Sequence, residues 1–353
     1  MEALEIKDFW TEKQFLELPA KLYAEDKNWI SPPLADIRSL FDSNRMIQGN
    51  PTKSNRWILL DEQREVIGRI AAFYYQKAGK TQCGLGFFEC VNRQEAANKL
   101  FETALSWLGQ EGQTEVEAPV NFGQRDAYWG LLVEGYAPPA YQDNYHPPYY
   151  RGLFEQYGFL PAYSQKTFRM EHADFQRERL EPIARRVMAK SGWSFRYFDP
   201  KNPEKMARDF CAIYNAAWKG HEHFVPIEEK EMLEQIRKMR PVMLDSLIVF
   251  AYVNDQPAGF FVSIRDINPL IRDFKGKFGV WNQLRLWFRL KTIAPDYLRA
   301  IVFGVIPEFQ NQGIESGMIW KFFESAVKMP SLRAVELSWI GDFNPSMLAL
   351  LDA

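Results

Sequence analysis

The sequence is poor in cysteine and histidine. Its three cysteines, Cys83, Cys90 and Cys211, have no C-x-x-C spacing. That argues against a disulfide framework and a cysteine-built zinc site, and it fits a reduced, cytoplasmic protein. Of the four histidines, His221 and His223 form an H-x-H pair around Glu222, and no third ligand is evident for a metal. A surplus of either charge is also missing: 43 Lys and Arg against 45 Asp and Glu leave a formal net charge of -2. So balanced a chain lacks the basic excess that non-specific nucleic-acid binding needs. No run of about 18 apolar residues occurs, so no membrane span is expected. The longest apolar stretch, Leu247 to Ile264, is broken at Asn254-Asp255-Gln256-Pro257, a hairpin turn. The acidic start Met1-Glu2-Ala3-Leu4-Glu5 has no apolar core, so no secretory leader is expected. Neither a G-K-[ST] phosphate loop nor a G-x-G-x-x-G fingerprint is present.

What is there reads as globular. The chain has 353 residues, 46% apolar and 25% charged, enough for about two domains of roughly 150 residues each. Aromatics at 15% point to large cores rich in Phe and Tyr. Two β-hairpins are expected, Arg56 to Tyr75 around Asp61-Glu62-Gln63-Arg64 and Leu247 to Ile264 around Asn254-Asp255. Each leads to a further strand, an amphipathic helix and another strand. In the first half these are Gly86-Phe87-Phe88-Glu89, a helix over about Arg93 to Gly109, and Thr114 to Ala118. In the second they are Ala300 to Ile306, a helix over about Ile314 to Met329, and Arg333 to Trp339. The periodicities of Ala97, Leu100, Phe101, Ala104 and Leu108, and of Met318, Ile319, Phe322, Phe323 and Ala326, set the helices' buried faces. One mixed α/β pattern is used twice, and the charged stretch 171–190 suits a connecting helix between domains 1–170 and 191–353.

The second half also carries an insertion, from about Asn268 to Pro295. There Phe278, Trp281, Leu284, Trp287, Phe288 and Leu290 interleave with Lys277, Arg285, Arg289 and Lys291. The leading expectation is a helical hairpin covering an apolar face; a pocket lid and a membrane-surface helix stay open.

The segment that carries chemistry is Val305-Ile306-Pro307-Glu308-Phe309-Gln310-Asn311-Gln312-Gly313-Ile314-Glu315-Ser316. A strand ends, a polar turn containing Gly313 follows, and a helix begins. Unpaired amides at a helix N-terminus, with the positive end of its dipole, suit a pyrophosphate. Gly313 lets an anion approach the backbone, and Gln310 can brace the turn. Many strand–helix turns look alike, so spacing alone leaves the ligand open.

The same residues resemble the acyl-CoA motif of the GNAT superfamily of N-acyltransferases, V-x-P-x-x-[QR]-x-x-G-x-[GA], matching at Val305, Pro307, Gln310 and Gly313. Leu337 to Ser346 resembles the next element of that family, where Asn344-Pro345 starts the helix that lines the CoA arm. The first half looks like a degenerate copy: Tyr149 to Phe159 is similar to the closing helix, but the turn Val91-Asn92-Arg93-Gln94-Glu95 has no glycine. The whole chain resembles a bacterial family of tandem GNAT-like proteins through Asn28 to Leu34, Gly86 to Glu89, Gly130 to Tyr136 and Tyr214 to Trp218.

The resemblance implies two GNAT-like domains in tandem, with acetyl-CoA or another acyl-CoA as co-substrate and no metal. It implies CoA contacts at Val305, Gln310, Asn311, Gln312, Gly313, Ile314, Glu315, Ser316 and Asn344. The acyl-CoA would lie in a V-shaped gap between two strands, and a small-molecule or peptide amine would attack the thioester directly. Amides near a strand bulge, around Val305, would polarise the carbonyl. His221 and His223 are the candidate general bases. Glu315 departs from the Gly or Ala of the family and puts a like charge near the pyrophosphate. The residues after Ser346 are too few for a closing strand, so the second half is expected to be truncated and its sheet edge bare. Two alternatives stand beside the acyltransferase. One is a non-catalytic tandem scaffold. The other is an aminoacyl-tRNA-dependent transferase, which the near-neutral charge opposes.

Overall fold

The computed structural model describes residues 1–42, 46–47, 50–77, 80–120, 128–175, 177–220, 224, 226–342, 344 and 347–348. They fall into two compact units, Met1–Ala162 with Asn268–Arg285, and Tyr163–Ile267 with Leu286–Ala353.

The first unit holds β1 (Glu2–Glu5), α1 (Phe9–Leu22), α2 (Leu34–Ser39), β2 (Met46–Ile47), β3 (Asn50–Leu60), β4 (Val66–Lys77), β5 (Lys80–Cys90), α3 (Gln94–Gln110) and α4 (Tyr150–Tyr157). The antiparallel order is β1-β3-β4-β5, with β2 on β3. Asp8 caps α1: its carboxylate accepts the Thr11 amide at 2.8 Å, and the Thr11 hydroxyl accepts the Asp8 amide at 3.2 Å. The expected face of α3 is the buried one: Ala97, Leu100, Phe101, Ala104 and Leu108 pack with Ile70, Leu85 and Phe88. On the other face, Phe15 and Leu16 of α1 pack with Ile58, Leu60 and Ala71. The strand expected over Thr114 to Ala118 is reduced to one parallel bridge, Gly84 to Glu117, before the cis Ala118–Pro119 bond.

The second unit begins with β6 (Gln165–Glu171), α5 (Arg177–Met188), β7 (Trp193–Tyr197), α6 (Pro203–Trp218), α7 (Glu229–Met239), β8 (Met243–Val253) and β9 (Gln256–Arg265). The chain then enters α8 (Asn268–Ile271) and α9 (Val280–Thr292), and returns through β10 (Tyr297–Val305), α10 (Ile314–Ala326) and β11 (Ala334–Gly341). The sheet order is β6-β11-β10-β9-β8-β7. The β8–β9 turn falls at Asn254-Asp255 as expected, both residues at positive φ, the twist that two-residue hairpins favour. Met318 and Phe322 of α10 pack on one face with Val249, Phe261 and Leu298; Met206 and Ile213 of α6 lie on the other with Phe250 and Phe260. Among the described residues no helix is long and apolar enough to cross a membrane.

Three arrangements differ from the sequence reading. The outer edge of β11 is not bare. β6, from the stretch assigned to the first domain, pairs antiparallel with it from Ala334↔Glu171 to Gly341↔Gln165. Strand pairing therefore draws residues 163–170 into the second unit, and no segment after Ser346 is needed to satisfy that edge. The insertion also divides. Leu270, Ile271 and Phe274 are buried in the first unit, where the Asn268 amide donates to Pro139 O at 2.8 Å and Leu34 N to Gly276 O at 2.9 Å. By contrast, α9 has no buried residue; Leu286 and Leu290 are half-buried, and its larger apolar side chains stay exposed.

Close packing of α10 on the sheet rests on Gly317, whose added Cβ would lie 2.3 Å from the Phe195 ring. Gly317→Val should destabilise the protein by about 2 kcal/mol or more. Gly109→Ala, with nothing within 4 Å of the new methyl, should leave stability unchanged or raise it by up to about 1 kcal/mol. Denaturant midpoints of the two variants test this.

Candidate functional site

The motif turn is built by the way β10 leaves its neighbours. On one side β10 pairs with β9 as far as Val305↔Gly259. On the other, its parallel pairing with β11 runs only from Tyr297↔Ala334 to Ala300↔Leu337. Beyond that point β11 pairs with β6 at Ile340 and Gly341, and the two parallel strands part. The bulge in β10 lies between Ala300 and Val302, upstream of the Val305 position expected for it. Gly304 meets the Trp218 ring, which a Cβ would approach to 2.5 Å.

After Val305 a 3-10 turn, Pro307–Phe309, leads to Gln310. Asn311 and Gly313 take positive φ, and Gly313 is the N-cap of α10. Gln310 braces the turn as anticipated, its Nε2 donating to Val305 O at 3.0 Å, and Gln312 Nε2 donates to Glu308 O at 2.8 Å. Ile314 is fully buried and fixes the helix start. The Ser316 amide is taken by Gly313 O at 3.0 Å. Among the described residues, the amides of Gln312, Gly313, Ile314 and Glu315 meet no acceptor. These are the orphan donors at the positive end of a helix. Lys190 Nζ donates to Gln312 O at 2.9 Å, so a cation stands at the turn. Val187 of α5 approaches on the Cβ side of Gly313.

The other site residues from the sequence have different settings. Asn344 acts as a cap: its Oδ1 accepts the Met347 amide at 3.2 Å and its carbonyl the Leu348 amide at 3.2 Å. His221 and His223 lie outside the described residues. The far end of their loop is held by Asn215, which donates to Ile227 O at 3.1 Å and accepts Ile227 N at 2.9 Å. The ring of Trp218 stacks on Tyr214 at 4.7 Å.

A second locus was not read from the sequence. In the first unit a cavity opens at the β5 bulge, lined by Gly86, Phe87, Phe88, Glu89, Arg69 and His146, among others. Register jumps here from Arg69↔Glu89 to Ala71↔Gly86. Glu89 is buried, with Arg69 Nη2 at 3.4 Å and the hydroxyls of Tyr23 and Tyr150 each donating to it at 2.8 Å. Burial pushes the Glu89 carboxyl up, against the pull of Arg69 and the two hydroxyls. Burial, then the Glu89 charge, holds both phenols well above their usual range, so they remain donors. His146 accepts the Leu132 amide on Nδ1 at 3.2 Å, which leaves the proton on Nε2. Three non-glycine residues of this lining, Phe87, Tyr128 and Gln142, sit at positive φ, and such strain collects at functional sites. The available signal was Glu89 itself, an acid in an apolar strand, which burial permits only with partners.

Burial pushes the His146 imidazole down to about 3. The unfolded chain takes up that proton near pH 6.5, the folded chain only near 3. The stabilising contribution of the neutral ring is therefore complete above pH 6.5 and shrinks as pH falls towards 3. His146→Gln should remove about 1.4 kcal/mol per pH unit from the slope of stability between pH 6 and 4. Denaturant titrations across that range test it; an unchanged slope would refute it.

No family model matches the chain. Protein YghO of Escherichia coli K12 is 25% identical over 353 residues, covering 96% of this chain and 88% of that protein. The bacterial ceramide synthase of Caulobacter vibrioides is 27% identical over 346 residues, 95% of this chain and 89% of that one. Among solved structures, a tandem GNAT protein from the clavulanic acid biosynthesis pathway superposes with a TM-score of 0.55 at 12% identity, covering 99% of this chain and 93% of its own. The GNAT region of a fungal multi-domain β-N-acetylglucosaminidase gives a TM-score of 0.55 at 10% identity, over 96% of this chain and 35% of that one. With two mixed α/β units, a parted strand pair and a Gly313 turn leading into α10, the chain is a protein of the tandem GNAT fold.

Proposed function

We propose that the chain is an acyl-CoA-dependent N-acyltransferase whose co-substrate is gripped by the turn between β10 and α10. The observation that carries this reading is the row of four amides, Gln312 to Glu315, which meet no backbone acceptor among the described residues, after the parted β10–β11 pair. Such a row binds a diphosphate by N–H donation and by the helix dipole. Gln310 and Gln312 hold the turn rigid, so little ordering cost falls on binding. Lys190 offsets the like charge that Glu315 brings to the phosphates. The acyl arm lies in the gap, against the strand edges left where the β10–β11 pairing ends.

In the reaction the amine nitrogen attacks the thioester carbonyl carbon. The C–S bond breaks, a general base takes the amine proton, and the departing thiolate is protonated. His221 and His223 are the bases in this reading. The Caulobacter relative, named a ceramide synthase, guides the choice of substrates. A ceramide is the amide of a long-chain amino alcohol, so we infer a long-chain acyl donor and a lipid amine acceptor.

One observation favours a second reading, in which chemistry proceeds in the first unit. Glu89 combines a raised proton affinity with a cavity, a strand bulge and strained lining residues, the setting of a general base.

Calorimetry with acetyl-CoA and palmitoyl-CoA should give binding, and Gly313→Ala should weaken it about tenfold. No heat at millimolar ligand, or no effect of the variant, defeats the first reading. Thiol release from palmitoyl-CoA with a long-chain amine separates the two. If Glu89 is the base, Glu89→Gln should slow release about 100-fold or more with affinity for palmitoyl-CoA unchanged. Full turnover in a folded Glu89→Gln protein removes the second reading.

A further inference from the structure

A surface helix normally turns its apolar stripe to the core, but of its apolar side chains α9 half-buries only Leu286 and Leu290 and leaves the larger ones outside. Trp281 is 81% exposed, Phe288 61%, Trp287 56%, Val280 71% and Leu284 54%. At 100° per residue these five occupy an arc of about 120° on one side of the helix. Large apolar side chains scattered singly on a surface need no explanation, but a contiguous patch with two Trp does.

Charge around the patch is one-sided. Residues 274–295 contain Lys275, Lys277, Arg285, Arg289 and Lys291 and no Asp or Glu, in a chain whose net charge is -2. Arg285 borders the apolar arc, and Lys291, one turn past Trp287, lies over its ring at 4.0 Å, its stem along the patch. Asp273, the nearest acid before this run, pairs with Arg285.

We propose that α9 is an interfacial helix that lays its Trp281–Leu284–Trp287–Phe288 face into an anionic lipid surface. Aromatic side chains that enter the headgroup boundary on one side, with cations in excess of acids alongside, make the combination that such a surface selects. A protein groove would be served by the apolar arc alone; the cationic excess of residues 274–295, which remains after Asp273 pairs with Arg285, is what favours lipid. The helix offers this face without spanning the bilayer. The inference stands apart from acyl transfer, because it rests on α9 and the basic residues flanking it.

The test is sedimentation of the full chain with lipid vesicles, without acyl-CoA. Vesicles containing phosphatidylglycerol should bind the protein, pure phosphatidylcholine vesicles should bind at least tenfold less, and high salt should release it. Trp281→Ser with Trp287→Ser and Phe288→Ser should lower partitioning about 100-fold with the melting temperature unchanged, since α9 has no buried residue. Lys277→Gln with Lys291→Gln should cost about tenfold on anionic vesicles only. Failure of the wild-type chain to sediment with anionic vesicles overturns the proposal. So does a triple variant that binds like wild type, or one that converts a lipid-free dimer to monomer, which would make a second copy the occupant.

Discussion

The gap between β10 and β11 exists because each strand has another partner to hold. Parallel pairing is slightly the weaker kind per residue, and here it ends at Ala300↔Leu337. From there β10 stays bound to β9 up to Val305, while β11 is carried away by β6 at Ile340 and Gly341. Opening the seam thus strands few backbone groups on the outer sides, because antiparallel ladders satisfy them. The strand edges left by this parting and the amides of the turn that follows β10 are the two features on which the chemistry proposed for the second unit depends.

In the first unit the comparable constraint is a charge inside the protein. Arg69 and Glu89 face one another across β4 and β5 beside a bulge. A buried ion pair returns its desolvation cost only when hydrogen bonds complete it. Two tyrosine hydroxyls on Glu89 and the Phe15 carbonyl on Arg69 supply most of them, while Arg69 Nε has no partner among the described residues. The half that lacks the glycine turn still maintains an organised polar interior next to a cavity, which is costly for a pure scaffold.

Local patterns were legible in the sequence and distant ones were not. The Asn254-Asp255 turn, the buried face of α3 and the Gln310 brace all follow from residues within a few positions of one another. The place of residues 165–171 does not. Gln165 to Glu171 is a short polar strand whose pairing depends on β11, far along the chain. The Glu89 cluster was missed for the same reason: Tyr23, Arg69 and Tyr150 come from three separate elements. With α9 the composition was read correctly and the direction was not, because a 3.6 period marks an apolar face without saying what it meets.

The origin of β6 has a consequence for how the chain is made. Phe168 aligns with Leu337, so during synthesis the sheet's outermost strand leaves the ribosome long before the strand it completes. The second sheet cannot close until β11 has emerged, and closing that long loop makes it the slow, non-local step of assembly. The N-terminal sheet has all its strands by Cys90, and vectorial folding would let it settle first.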